Sequence, residues 1–161
     1  MTNLDTINDF LRQKRIAFVG VSRQSKDFSR VLFREFARRG YDVVPVHPNA
    51  AEIEGRRAFQ RVQQIDPPVD GALVMTSAQA ARGIVRDCAE AGIGRVWLYR
   101  ATGPGALSNS AVEFCQTSGI RVVAGHCPFM FWKDAGFLHR LHGMLIKLSG
   151  KYPRPARATQ G

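Results

Sequence analysis

An α/β fold, a mainly parallel five-stranded sheet with helices on both faces and a further helix at the C-terminal end, is predicted by three observations. Short apolar runs and amphipathic stretches alternate in units of about 25 to 30 residues. The apolar runs are continuous, as in strands covered on both faces. The amphipathic stretches close on glycines, Gly40, Gly92 and Gly119, as helices commonly do.

Each element has its own local reason. Ile16 to Val21 is the first apolar run and the first strand. From Phe28 to Arg39, the i, i+4, i+8 spacing of Phe28, Leu32 and Phe36 predicts a helix that Gly40 ends. Asp42 to Val46 is a β-branched strand stopped at Pro48, and "VDGALVM", 69–75, is the third strand. Between Pro48 and Pro68 the pattern is irregular, and one or two short helices are expected there. Ser77 can cap the next helix, in which Ala81, Ile84, Val85 and Cys88 face one way. "RVWLY", 95–99, and "IRVVAG", 120–125, are the fourth and fifth strands, with a helix marked by Leu107, Ala111 and Phe114 between them. Leu138, Leu141, Leu145 and Leu148 form the apolar stripe of the last helix. With no repeat and no linker, residues 1–150 read as one Rossmann-like, doubly wound domain. Residues 151–161, basic and proline-containing, read as a flexible tail.

Composition limits the function. The chain has 161 residues, is 45% apolar and carries a formal charge of +10. That charge favours anionic partners: nucleic acid, phosphorylated small molecules or a membrane surface. No run approaches the roughly 18 apolar residues of a membrane span. "MTNLDTINDFLRQKR" holds two acids and no secretory apolar core, so a cytoplasmic protein is expected. Cys88, Cys115 and Cys127 show no C-x-x-C spacing, so neither a disulfide framework nor a zinc site is signalled.

In open α/β sheets the ligand lies beyond the carboxyl ends of the strands. Gly20 to Asp27, Val46 to Asn49 and Thr76 to Ser77 therefore surround one crevice. The first loop offers backbone N–H groups ahead of a helix, and Arg23 and Lys26 add positive charge, as an anion requires. The NAD fingerprint G-x-G-x-x-G would need glycine where Ser22 and Ser25 stand. The second strand ends in Val46, His47, Pro48 and Asn49, without the acid that holds a ribose 2′-hydroxyl. A phosphate-bearing ribose suits that lack, which leaves NADP or coenzyme A. The phosphate-binding G-x-x-x-x-G-K-[ST] motif does not occur.

"IAFVGVSRQSKDFSRVLFREFARRGYDVVPVHPN" resembles the opening of the small stand-alone CoA-binding proteins, whose domain is similar to that of the succinyl-CoA synthetase alpha chain. "PVD" before the third strand, "VWL" in the fourth and Cys127 after the fifth add to the likeness, which spans about residues 10–130. The resemblance implies a CoA or acyl-CoA nucleotide held by Gly20, Val21, Ser22, Arg23, His47, Pro48, Thr76 and Ser77, beside Lys26. It implies a ligand more than a reaction, and hence a binding module with no catalytic residues assigned. The chain departs from the family pattern in three places. His47 replaces the usual asparagine, "YRATGPGALS" replaces Q-x-G-V, and "GHCPFMFW" replaces D-R-C-x-x-x-E.

Other residues carry weaker alternatives. Cys127 is read as a structural thiol ahead of a nucleophile or a partner for the CoA thiol. His139 and His142, with His126 or Cys127, lack a third ligand in register, so no metal is expected. "PFMFW", 128–132, reads as an apolar lid ahead of an exposed partner patch. An NADP-dependent reductase fragment and a basic nucleic-acid-associated protein remain the other classes. The first lacks room for a substrate domain, and the second lacks any recognisable motif despite Arg34, Arg38, Arg39 and Tyr41.

Overall fold

The computed structural model describes residues 2–100, 105–132 and 153. In chain order the elements are α1 (Leu4–Leu11), β1 (Arg15–Val19), α2 (Phe28–Arg38), β2 (Asp42–Val46), β3 (Glu52–Ile53), β4 (Arg56–Arg57), β5 (Gly71–Val74), α3 (Ala78–Glu90), β6 (Arg95–Leu98), α4 (Asn109–Thr117) and β7 (Arg121–Ala124). Five strands form one parallel sheet in the order β2-β1-β5-β6-β7. β1 lies between β2 and β5, with Val19 opposite both Val46 and Val74. The chain builds outward from β1 in one direction and then the other, so the switch point lies between β1 and β5. This is the doubly wound, Rossmann-like α/β architecture that the alternation of elements predicts.

The two faces have separate cores. On one, Ile16, Phe18, Leu73 and Trp97 pack with Ile7 and Phe10 of α1 and with Leu32, Phe33 and Phe36 of α2. On the other, Ala17, Val19, Val44, Val74 and Val96 pack with Ala81, Val85 and Cys88 of α3 and with Ala111 and Cys115 of α4. Successive residues of each central strand thus serve opposite faces, which is why the fully buried stretches 16–19, 71–74 and 96–98 contain no polar residue.

Four local expectations change in detail. The N-terminal segment, given no secondary structure from sequence, is an eight-residue helix capped by Asn3, whose Oδ1 accepts from Thr6 N at 2.8 Å. So short a helix is marginal alone. Burial of Ile7 and Phe10, at about 1.5–3 kcal/mol each, holds it down. Phe10 meets the Trp97 ring edge-on at 5.3 Å. The buried face of α2 is Leu32, Phe33 and Phe36, while Phe28 stays 38% exposed at the helix start. Leu107 precedes α4 instead of lining it. Where short helices were expected between 48 and 68, the chain makes the β3–β4 hairpin, turning through Glu54 and Gly55, and then one 3₁₀ turn at Val62–Gln64. The expected last helix with Leu138, Leu141, Leu145 and Leu148 lies outside the described residues. So do His139, His142 and the tail apart from Pro153.

Asp9 ties α1 to the sheet edge, accepting from Arg95 Nε at 2.8 Å and pairing with Arg121 at 3.0 Å. The hydrogen bond from Arg95, reinforced by Arg121 against a smaller opposing effect of burial, holds its carboxyl below the ordinary value of 3.8. A carboxyl depressed on folding stabilises the protein above its unfolded value and loses that contribution as pH falls through the folded value. Asp9→Asn should therefore lower the melting temperature at pH 7, by the equivalent of about 1 kcal/mol or less for a partly exposed pair. The gap from the parent should close as pH falls below 3.8. Thermal melts across pH 2–7, as approximate limits of the scan, check this. A gap independent of pH would show that the carboxylate's charge is not what matters.

Candidate functional site

The three loops at the switch point are drawn together by the sheet itself. Gly20 N donates to Val46 O at 3.1 Å and Met75 N donates to Val19 O at 2.8 Å, so the ladder continues one residue past β1 and β5. Gly20 then turns with φ +90°, and a Cβ there would lie 2.6 Å from Thr76 Cγ2 and 3.0 Å from Met75 O. The glycine is required by this close approach and by its backbone angle, whatever ligand is present. The resemblance to the CoA-binding proteins counts Gly20 among the residues that hold the nucleotide. The constraint seen here comes from the loop after β5.

Past Gly20, Val21 is buried, while Arg23 to Phe28 are exposed. Ser22 N donates to Ser29 Oγ at 2.8 Å, and Gln24 N donates to Ser22 Oγ at 3.1 Å. Asp27 caps α2, its Oδ1 accepting from Ser29 N at 2.8 Å and from Ser29 Oγ at 2.5 Å. The chain's own carboxylate therefore occupies the first turn of α2, the position expected to attract an anion. The amides of Val21, Arg23, Ser25 and Lys26 have no partner among the described residues, and Arg23 and Lys26 form no ion pair among them. Asp27 and Ser29, absent from the sequence-based set, had a legible signal: an Asp two residues before a Ser at a helix start is a capping pattern.

At the end of β2, His47 is half-buried, and its N–H donates to Phe59 O at 2.9 Å. Its Nδ1 accepts from Asn49 N at 3.0 Å, which leaves the proton on Nε2. Burial, and then the nearby Arg23 guanidinium, hold the imidazole below its ordinary value, so it is neutral near pH 7. Arg23 is thus within electrostatic reach of the β2 end. Pro48 is exposed beside it. On the β5 side, Thr76 Oγ1 donates to Ser77 O at 3.2 Å, and Ser77 Oγ accepts from Ala80 N at 3.3 Å as the cap of α3. Gly20 to Lys26, His47 to Pro48 and Thr76 to Ser77 all lie at the carboxyl ends of β1, β2 and β5.

Next to this group is an aromatic wall. Phe28 stacks on Tyr99 at 5.8 Å and meets Phe129 at 6.1 Å. Phe129, Phe131 and Trp132 pack partly buried against the α1–α2 core, so "PFMFW" covers the sheet. Cys127 is half-buried, with burial pushing its thiol up against the opposing pull of the Phe129 amide and the Tyr99 hydroxyl. A thiol so held is protonated at neutral pH and a poor nucleophile. Cys88, pushed up to about 12 by burial, is inert for the same reason. All three cysteines are free.

The residues fit a phosphorylated nucleotide. Among the described residues, two cations without acidic partners, four loop amides without partners and a neutral histidine surround the switch point. No carboxylate stands at the end of β2, and the nearest acid in the first loop, Asp27, is committed to its cap.

The chain is similar to known proteins over most of its length. Residues 14–133 match the family described as CoA binding domain. The chain is 26% identical over 116 residues to the uncharacterized protein YneT of Bacillus subtilis, covering 72% of this chain and 83% of that one. It is 25% identical over 125 residues to the alpha subunit of an ADP-forming acetate–CoA ligase II of Pyrococcus furiosus. That match covers 73% of this chain but only 27% of the subunit, so the chain spans about a quarter of its length. A solved structure of a hypothetical protein from Pyrococcus horikoshii has the same fold, with a TM-score of 0.71 and 24% identity. That alignment covers 80% of this chain and 87% of the other.

Proposed function

The chain belongs to the CoA binding domain family, and from that premise we propose that it binds coenzyme A or an acyl-CoA as a binding module, without catalysing a reaction of its own. The proposed contacts are Gly20, Val21, Ser22, Arg23 and Lys26 of the first loop, His47 and Pro48 after β2, and Thr76 and Ser77 after β5. The observation that carries the reading is charge placement. Arg23 and Lys26 are exposed and unpaired among the described residues, beside a β2 end that holds no acid. A 2′-hydroxyl of NAD calls for a carboxylate there, and a ribose phosphate is repelled by one. The Nε2–H of neutral His47 is a donor suited to a ribose or phosphate oxygen. The protonated thiol of Cys127 supports binding ahead of nucleophilic catalysis. Among the described residues no helix is long and apolar enough to cross a membrane.

Calorimetric titration with CoA, 3′-dephospho-CoA, NADP and NAD tests the ligand. CoA is expected to bind tightest. Removing the 3′-phosphate should weaken binding about tenfold or more, the worth of one charge-assisted contact. Equal affinities for CoA and dephospho-CoA would remove the phosphate argument, and tighter binding of NADP would replace CoA as the ligand.

A further inference from the structure

Glu54 sits at the turn of the β3–β4 hairpin with φ +53°, more than twenty residues from the first loop in sequence. Its Oε1 accepts from Arg30 Nε at 2.7 Å and from Arg34 Nε at 2.9 Å. Both guanidiniums then reach back to the loop. Arg30 Nη1 donates to Ser22 O at 3.1 Å and to Arg23 O at 3.4 Å, and Arg34 Nη2 donates to Ser25 O at 3.1 Å. One carboxylate oxygen thus aligns two planar forks, and the forks turn three carbonyls of the loop toward α2.

The geometry of a trans peptide gives this a consequence. N–H and C=O of one peptide unit point in opposite directions. With the carbonyls of Ser22, Arg23 and Ser25 held to α2, the amides of Arg23, Gln24 and Lys26 face away from it. Gln24 N–H closes onto Ser22 Oγ, leaving the amides of Arg23 and Lys26. These are the two residues whose side chains supply the positive charge. Between Val21 and Phe28 the loop has no apolar anchor, so these polar ties are what order it.

We propose that Glu54, acting through Arg30 and Arg34, is a positioning residue that holds the first loop in its ligand-receiving conformation. The proposal rests on the reading of that loop as part of a CoA site. It assigns the irregular hairpin a purpose: to bring one acid to two arginines of α2.

Two measurements on Glu54→Ala and Glu54→Gln, made on the full chain, test it. The first is amide hydrogen exchange at Gln24 and Asp27, whose N–H groups are bonded within the loop, and at Ser22, whose N–H is bonded to Ser29 in the first turn of α2. The second is CoA affinity by calorimetry. Glu54→Ala should speed exchange at those three amides while leaving exchange in β1 and β5 unchanged. It should also weaken CoA binding about tenfold, with Glu54→Gln falling between it and the parent. Unchanged loop exchange would overturn the proposal, and so would faster exchange with unchanged affinity. A parent protein that does not bind CoA would instead sink the ligand reading, and the exchange rates would still decide whether Glu54 orders the loop.

Discussion

Gly20→Val is expected to cost the protein a large fraction of its stability before any ligand is added. The backbone angle of +90° strains any β-branched residue, and the new Cβ would press on Thr76 Cγ2 and on the Met75 carbonyl. Strain and overpacking each cost about 1–3 kcal/mol. Their sum is a large fraction of the roughly 5–15 kcal/mol that holds a domain of ordinary stability. Denaturant unfolding should show a sharply lowered midpoint, or a chain that is unfolded at 37 °C by circular dichroism, taking physiological temperature as the approximate mark. Loss of CoA binding in this variant would therefore say nothing about phosphate. Gly20→Ala separates the two causes. Combined with Thr76→Ser, which removes Cγ2, it should regain the part of its loss that comes from the 2.6 Å contact and keep the part that comes from φ. A Gly20→Ala protein as stable as the parent would mean that the loops can part freely, contrary to the account given above.

Arg23→Ala is expected to weaken CoA binding between about fivefold and a hundredfold, the range for a charge-assisted contact to phosphate. It should leave the melting temperature of the unliganded protein nearly unchanged, because the side chain is exposed and makes no ion pair among the described residues. A second readout needs no ligand. Arg23 contributes to holding His47 below its ordinary value of 6.5, so its removal should move the histidine titration upward by NMR, though burial will still keep it lowered. Loss of stability with affinity intact would make Arg23 structural. An unmoved His47 would place the guanidinium away from the β2 end.

Local pattern was enough for much of this molecule. The five apolar runs became the five strands, because a strand covered on both faces has no solvent side, and the charged residues Arg15, Asp42, Arg95 and Arg121 stand only at strand starts. Helical spacing located α2, α3 and α4, because each has one stripe to bury. Ser77 caps α3, as its place before the apolar stripe indicates. The basic first loop and the acid-free end of β2 were likewise readable, since charge and its absence are written in the residues themselves.

Other features required the chain to close on itself. Asn3 and the spacing of Leu4, Ile7, Phe10 and Leu11 can mark α1 locally, but not what it packs against. Its worth lies in Phe10 meeting Trp97, a residue 87 positions away, the difference of their sequence numbers. The periodic reading put Phe28 in the core, but its place at the first turn of α2 sets it against Tyr99 and Phe129 at the strand ends. Gly20 reads as a phosphate-loop glycine in sequence. Only the meeting of the β1 and β5 loops at the switch point shows that Met75 and Thr76 require it. The Glu54 network is the clearest case, because three segments with no common pattern must converge before one oxygen can align two arginines. Sequence by itself determined where the five sheet strands and α2, α3 and α4 form and which charges they carry, since those depend on neighbours a few residues away. Tertiary structure alone decided which loops touch and which polar groups are left for a ligand, since hydrogen bonds are spent between segments that only the sheet order brings together.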